Sequence, residues 1–143
     1  MGGRAVGASS RPPPGVTLVL DSGGLSMLVQ NRARLEELRR RGEWPALIPA
    51  VVLTEALTGD HRRDFHENRL LRTCNIRSTD EALARKAALL RAAVGHARAP
   101  SAVDAIVVAL ADEVGGATVL TGDLRDLRAL ARHASNDVWV GGL

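Results

Sequence analysis

Aromatic side chains are almost absent from this sequence, which has two Trp, one Phe and no Tyr among 143 residues. Proteins that bind single-stranded nucleic acid by base stacking place several aromatic rings along one groove. We therefore do not expect stacking to dominate any nucleic-acid recognition by this chain.

Cysteine and long apolar runs are equally scarce. Cys74 is the single cysteine, so an internal disulfide is excluded and the chain suits a reducing compartment. No apolar run approaches the ~18–20 residues that cross a bilayer. Residues 1–14 also lack the continuous apolar stretch of a secretory signal peptide. These absences predict a cytoplasmic protein without membrane association.

The pattern of the remaining residues is typical of one α/β domain. We expect residues 1–15 to form a disordered lead and residues 16–143 to fold as a single domain. Short apolar runs such as "VTLVLD", "ALIPAVVL" and "ATVLTGD" alternate with helical stretches. This alternation predicts a central, mainly parallel sheet that is covered on both faces by helices.

Several residues have the spacing expected at helix starts. Ser78 with Glu81, and Ser101 with Asp104, match the spacing of a capping box. Asp123 is a candidate cap for the helix that follows it. The segment over residues 26–42, "SMLVQNRARLEELRRRG", is interpreted as one helical stretch.

Four acids occupy the predicted strand ends or helix starts. Asp21 ends the run "TLVLD", Asp123 follows "ATVLTG", and Glu55 follows "ALIPAVVL". Asp104 begins a helix whose next seven residues, "AIVVALA", are all apolar, so this helix should be buried. Ligands of open parallel sheets bind at the carboxyl ends of the strands, where these acids are expected to meet.

Each of these acids has an ordinary structural explanation as well. Asp21, Asp104 and Asp123 could cap helices, and Glu55 could be a solvated helix residue. As a group, however, they would repel one another by roughly 4 kcal/mol per close pair at an effective dielectric constant of 20. A bound cation would offset this repulsion, and a set of oxygen ligands favours Mg²⁺ or Mn²⁺ over zinc.

The order of the motifs "VLDSGG", "PAVVLTEAL", "SAVDAIVVALA" and "VLTGDLRDL" resembles that of the PIN-domain ribonucleases. The length resembles that of the toxin subunits of VapBC-type toxin–antitoxin pairs. The resemblance covers about residues 16–143, and it implies a three-layer α/β/α fold. Ser22 and Thr121 match hydroxyl residues of the family motifs, whereas Gly24 and Leu127 depart from the usual residue types. The family's catalytic acids fall on Asp21, Glu55, Asp104 and Asp123.

The activity that the resemblance implies is Mg²⁺-dependent endoribonuclease activity, with Mn²⁺ as a substitute. Asp21, Asp104 and Asp123 would hold the metal, with Glu55 and Asp126 as further candidate ligands. Glu55 would orient or deprotonate the attacking water, so that the products carry 5′-phosphate and 3′-hydroxyl ends. The alternative is a non-catalytic PIN-fold module that binds RNA or protein.

The charge of the chain is consistent with a polyanionic substrate. The formal net charge is +3, from 19 basic and 16 acidic residues. If metal neutralises four acids, 19 minus 12 leaves +7 on the remainder. Arginines in two clusters are candidate phosphate ligands, although a solvated helix face explains any one of them equally well. They are Arg39, Arg40 and Arg41, and Arg62, Arg63, Arg69 and Arg72.

Other classes of site fit the sequence less well. His61 and His66 are five residues apart and have no partners that complete a zinc site. A haloacid-dehalogenase-like phosphatase needs an acid where this chain has Gly23. A dinucleotide-binding fold needs its glycines before the first helix, and "DSGG" inverts that order.

The resemblance also implies a cognate antitoxin and an RNA substrate. Two amphipathic segments, over residues 31–42 and 61–71, could form a groove for the antitoxin, whose tail would reach the acids. The toxin itself is expected to form a homodimer through apolar helix faces. The apolar residues of the two segments are Ala33, Leu35, Leu38, Phe65, Leu70 and Leu71.

Overall fold

The computed structural model describes residues 12, 15–95, 97 and 99–142. Apart from residues 12 and 15, the lead predicted over residues 1–15 lies outside the described residues. In the described part, every helix is too short or too polar to span a bilayer.

The centre of the structure is a five-stranded sheet in which all four strand pairings are parallel. The strand order is β3-β2-β1-β4-β5, which places β1 in the middle. All three residues of β1 are buried, as expected for a strand covered on both faces. The prediction of a mainly parallel sheet is confirmed. The strands are β1 (Leu18–Leu20), β2 (Leu47–Pro49), β3 (Asn75–Arg77), β4 (Ala117–Leu120) and β5 (Val138–Gly141).

Two groups of helices cover the sheet. In the first group α1 packs on β1 and β4 and contacts α2, α3 and α4. In the second group α6 packs on β1, β2, β4 and β5 and contacts α5 and α7. The result is the expected three-layer α/β/α fold. The helices are α1 (Ser22–Gln30), α2 (Arg32–Arg40), α3 (Leu53–Ala56), α4 (Phe65–Leu71), α5 (Glu81–Val94), α6 (Ala102–Glu113) and α7 (Leu124–Ala131), with a 3₁₀ turn (Ala50–Val52) before α3.

Helix α6 is the most deeply buried helix of the second layer. Its residues from Ala105 to Ala111 are buried, except for the partly buried Ile106. The Ser101 hydroxyl accepts a hydrogen bond from the Asp104 N–H at 3.0 Å and so caps the helix. The predicted cap and the predicted burial of this helix are both confirmed.

Two local predictions are wrong. The stretch over residues 26–42 is two helices, because the Asn31 side chain accepts a hydrogen bond from the Arg34 N–H and caps α2. The cap of α5 is Asp80, whose carboxylate accepts from the Leu83 N–H at 2.9 Å, and Ser78 lies before it. In both cases the helix starts where a side chain accepts a hydrogen bond from the backbone N–H three residues later. The apolar pattern of the sequence does not reveal such a bond.

A buried carboxylate joins the end of α6 to the loop before β5. Asp112 is 1% exposed, and it accepts hydrogen bonds from the N–H groups of Ser135 and Asn136, each at 2.9 Å. The Lys86 ammonium lies 3.5 Å from the same carboxylate. Burial alone would raise the pKa of Asp112, but the two N–H donors, the Asn136 side chain and Lys86 together hold it below the ordinary value.

We expect Asp112→Ala to lower the free energy of unfolding by about 2–4 kcal/mol, because two buried N–H groups lose their acceptor. The pKa of Asp112 is lower in the folded state than in the unfolded state. The stability that its ionised carboxylate contributes is therefore complete above the unfolded value of 3.8 and shrinks as the pH falls below it. Urea unfolding at pH 7 and pH 3 measures both effects. Glu113→Ala is the matched control, and an equal loss in both variants would contradict the assignment.

Candidate metal centre

The site begins at the carboxyl ends of β1 and β4, which lie side by side. Leu20 pairs with Leu120, so the next residues, Asp21 and Thr121, leave the sheet together. The Thr121 hydroxyl donates a hydrogen bond to Oδ2 of Asp21. The same hydroxyl accepts from the Asp123 N–H at 2.8 Å. One side chain therefore fixes the positions of two of the predicted acids.

Asp21 also caps α1. Its Oδ1 accepts a hydrogen bond from the Gly24 N–H at 2.7 Å, and the carboxylate is almost fully buried. The start of α1 lies so close to β4 that a Cβ on Gly24 would stand 2.1 Å from the Leu120 carbonyl oxygen. A glycine is therefore required at position 24, which explains this departure from the family motif.

Three carboxylates form a cluster beside these residues. Asp104, Asp123 and Asp126 each offer an oxygen, and the three oxygens lie within 4.8 Å of one another. Asp104 is in the first turn of α6, Asp123 caps α7, and Asp126 is in the first turn of α7. The N-termini of two helices thus bring the acids together and stabilise their negative charge.

The proximity of the acids is visible in the electrostatics of Asp104. Partial burial raises the pKa of this carboxyl from its ordinary 3.8 to about 6, although the Ser101 side chain lowers it. The charges of Asp123, Asp21 and Asp126, in that order, add to the rise. Asp21 is therefore close enough to interact with the cluster, although it is not one of the three acids whose oxygens lie within 4.8 Å of one another.

Glu55 lies at the edge of this region on the short helix α3. It is exposed, and the Ser22 hydroxyl donates a hydrogen bond to its Oε1 at 3.4 Å. The buried Asp64 carboxylate holds the loop after α3 by accepting from the N–H groups of Thr58 and Gly59. The Thr58 N–H is the main reason that the pKa of Asp64 is lowered, and burial opposes it.

The structure thus divides the predicted site residues into two sets. Asp104 and Asp123 cluster with Asp126, which the sequence suggested as a further ligand. Asp21 is adjacent through Thr121, whereas Glu55 is linked through Ser22. Their roles as ligands or catalysts stay predictions.

One acid near the site was not predicted from the sequence. Glu67, on α4, lines a cavity together with Ser22, Ser26 and Glu55. It lies in the middle of a polar stretch, "HENR", and follows no strand, so its sequence context resembles an ordinary helix surface. Only the packing of α4 against α1 places it here.

The chemistry of the clustered groups fits a hard divalent cation. The ligand atoms are carboxylate oxygens, and no His or Cys joins them in the described residues. Their mutual repulsion, which contributes to the raised pKa of Asp104, would be relieved by a bound Mg²⁺ or Mn²⁺.

One family model matches most of the chain. The PIN domain family matches residues 18–133. No curated protein sequence is significantly similar to the chain. The fold is similar to that of FitAcB from Neisseria gonorrhoeae, with 22% identity, a TM-score of 0.62, and coverage of 86% of this chain and 96% of the other.

Two further solved structures share the fold. DNA-bound VapBC from Salmonella typhimurium has 15% identity and a TM-score of 0.67 over 89% of this chain and 98% of the other. VapBC2 from Rickettsia felis, bound to a promoter DNA fragment, has 11% identity and a TM-score of 0.68 over the same shares of both chains. At these identities the structural similarity establishes that the fold is shared. A shared fold agrees with the resemblance of the sequence motifs.

We expect Asp104→Asn to stabilise the metal-free protein at pH 7.5 by about 1 kcal/mol, a value that allows for solvent screening of this partly exposed group. A raised folded-state pKa means that the charged form destabilises the fold. The difference should therefore disappear below the ordinary value of 3.8, where folded and unfolded carboxyls are both protonated.

Urea unfolding in EDTA at pH 7.5 and pH 3.5 checks this expectation. The exposed Glu81→Gln is the control, and it should change stability little at either pH. A destabilised Asp104→Asn protein at pH 7.5 would contradict the electrostatic interpretation.

Proposed function

The chain belongs to the PIN domain family, and from that premise we propose that it is a metal-dependent endoribonuclease and the toxin of a toxin–antitoxin pair. The observation that carries the proposal is the cluster of Asp104, Asp123 and Asp126 at the carboxyl edge of the sheet, beside Asp21. PIN domains are typically nucleases, and their cofactor is a divalent metal ion.

The residues that would hold Mg²⁺ or Mn²⁺ are Asp104, Asp123 and Asp126, with Asp21 next to them. When bound, the ion would supply positive charge that polarises the scissile phosphate and activates water for attack. Thr121 holds the Asp21 carboxylate in a fixed orientation. Protonation of Asp104 near pH 6 would remove one negative charge from the cluster and would therefore weaken metal binding.

Glu55 is the proposed general base. It is exposed and has no resolved basic partner in the described residues, so it is free to accept a proton from water. The Ser22 hydroxyl, which donates to Oε1 of Glu55, would restrict the orientation of the carboxylate. Ser22 follows Asp21 directly, so base and metal ligand are positioned by the same helix start.

Exposed arginines in the loop that follows α3, the helix of Glu55, would bind the phosphates of the RNA. Arg62 and Arg63 lie in the loop between α3 and α4, where Asp60 accepts hydrogen bonds from their N–H groups. Both side chains are exposed. Arg41, by contrast, forms an ion pair with Glu43 at 2.8 Å, so it is a poorer candidate phosphate ligand than the sequence suggested. An RNA substrate is consistent with the predicted cytoplasmic location.

A second surface feature favours a protein partner. A groove of about 220 Å³ lies between α1, α2 and α4. Its apolar residues include Leu28, Leu35 and Leu70, and its basic residues include Arg32 and Arg69. Arg39 also lines the groove, but it forms an ion pair at 3.1 Å with Glu36 of the same lining. We propose that the antitoxin docks here with a segment that carries apolar and acidic residues.

The groove differs in part from the surface that the sequence predicted. Leu35 and Leu70 line it, as expected. Leu38 and Leu71 belong to the core and do not line the groove, and the exposed Ala33 and Phe65 also lie outside its lining. The predicted homodimer stays a proposal, for which the strongly exposed Leu89 on α5 is one candidate contact.

We expect the isolated protein to cleave RNA only with Mg²⁺ or Mn²⁺, leaving 5′-phosphate ends. Asp104→Asn should reduce the rate by about 100-fold or more, because it removes a ligand that metal catalysis requires. Gel assays and sequencing of the 5′-phosphate ends measure this result. EDTA-resistant cleavage, or full activity in Asp104→Asn, would contradict the proposal, and Glu81→Gln controls for general effects of charge.

The groove proposal is tested by two double variants of equal net charge. Arg32→Glu with Arg69→Glu reverses two groove residues that form no ion pair in the described residues, and Arg40→Glu with Arg72→Glu reverses two exposed neighbours outside the lining. We expect the first pair to weaken copurification with the product of the adjacent reading frame by about 10-fold or more, as for charge pairs at interfaces. Equal weakening by both pairs would indicate general electrostatic attraction instead of a groove.

A further inference from the structure

A cavity of about 310 Å³ opens beside the candidate metal centre. Four residues with polar side chains line it: Ser22, Ser26, Glu55 and Glu67. Ser22 and Glu55 also belong to the proposed catalytic site, so a group in this cavity would lie directly next to the reacting phosphate. The volume is at the lower end of the range for small-ligand sites.

Glu67 is the member of this lining that the proposed reaction does not use. It is partly buried, and no hydrogen bond or ion pair of its side chain is resolved in the described residues. A carboxylate in the first turn of α4 also stabilises that helix, which is the purely structural explanation for this residue. That explanation does not require it to line a cavity beside Ser22 and Glu55.

The chemistry of the lining restricts what part of an RNA can enter. An ionised carboxylate accepts hydrogen bonds and does not donate, so it repels phosphate and attracts N–H groups. In a single strand the exposed N–H groups are on the base edges, which proteins read on the Watson–Crick side. Guanine presents two adjacent donors there, N1–H and N2–H, which match the two oxygens of one carboxylate.

Resting on the proposed function, we propose that Glu67 is a specificity-determining residue that accepts hydrogen bonds from N1–H and N2–H of a guanine beside the scissile phosphate. Ser26 would supply a hydroxyl that can donate to the guanine O6. This mode of recognition suits a chain with three aromatic residues, because it reads the edge of a base and does not need rings for stacking.

The test uses the purified full chain with Mn²⁺ and a pool of oligoribonucleotides of random sequence. Sequencing of the 5′-phosphate ends gives the base preference on both sides of the cut. We expect guanine at one position for the parent and for Glu81→Gln, and loss of that preference by 10-fold or more in Glu67→Gln. Mn²⁺-induced thermal stabilisation should be the same in all three proteins.

Inosine provides a second test, because it lacks the N2 amino group. Replacing the preferred guanosine with inosine should lower kcat/KM about 10-fold for the parent, as for other lost base contacts, and change it little for Glu67→Gln. A merely structural role for Glu67 would give equal inosine effects in both proteins. A preference for another base, or a guanine preference that survives Glu67→Gln, overturns the proposal while leaving the nuclease assignment intact. Absence of metal-dependent cleavage in the parent overturns both.

Discussion

The hydrogen bond between Thr121 and Asp21 joins residues 100 positions apart, and the candidate site depends on it. It forms because β1 and β4 are parallel neighbours in register, so that both chains leave the sheet at the same level. The Thr121 hydroxyl then accepts from the Asp123 N–H, which sets the start of α7. The start of α1 lies so close to the end of β4 that there is no room for a Cβ on Gly24 or Gly23.

Capping a helix and serving as a candidate metal ligand are compatible roles for these acids. Asp21 caps α1 with one oxygen, and Asp123 accepts the Asp126 N–H with Oδ1. A carboxylate has two oxygens and about four acceptor sites, so a cap leaves capacity for a cation. The backbone donors also lower the cost of holding several negative charges together before an ion binds. The capping role and the proposed metal-ligand role of one side chain therefore do not exclude each other.

The sequence was informative where the pattern repeats locally. Apolar runs that end in an acid located β1 and β4 with Asp21 and Asp123, and an apolar run that follows an acid located the start of α6 with Asp104. It was uninformative where tertiary packing or a single side chain decides. Asn31 divides one periodic stretch into two helices, and Asp112 resembles any polar residue near a helix end until its partners near position 135 are known.

Glu67 and the groove illustrate the same limit for function. Helical periodicity identifies an amphipathic face, but it does not distinguish apolar residues that enter the core from those that line a surface groove. Leu35 and Leu38 lie three residues apart on α2 and differ in this way. Glu67 becomes significant only because α4 packs beside α1, a contact with no local pattern in the sequence.

The geometry of α1 also constrains how a partner in the groove could inhibit the proposed ribonuclease activity. Ser22 at its start borders the candidate site, whereas Leu28 lines the groove. Six residues of helix separate them, a distance of about 9 Å at 1.5 Å per residue. A partner confined to the groove would therefore leave the acids open. Inhibition at the acids requires an extension of at least about three residues in extended conformation, at about 3.3 Å each. The proposed antitoxin thus needs two parts, an anchor for the groove and a tail that reaches the carboxyl edge of the sheet.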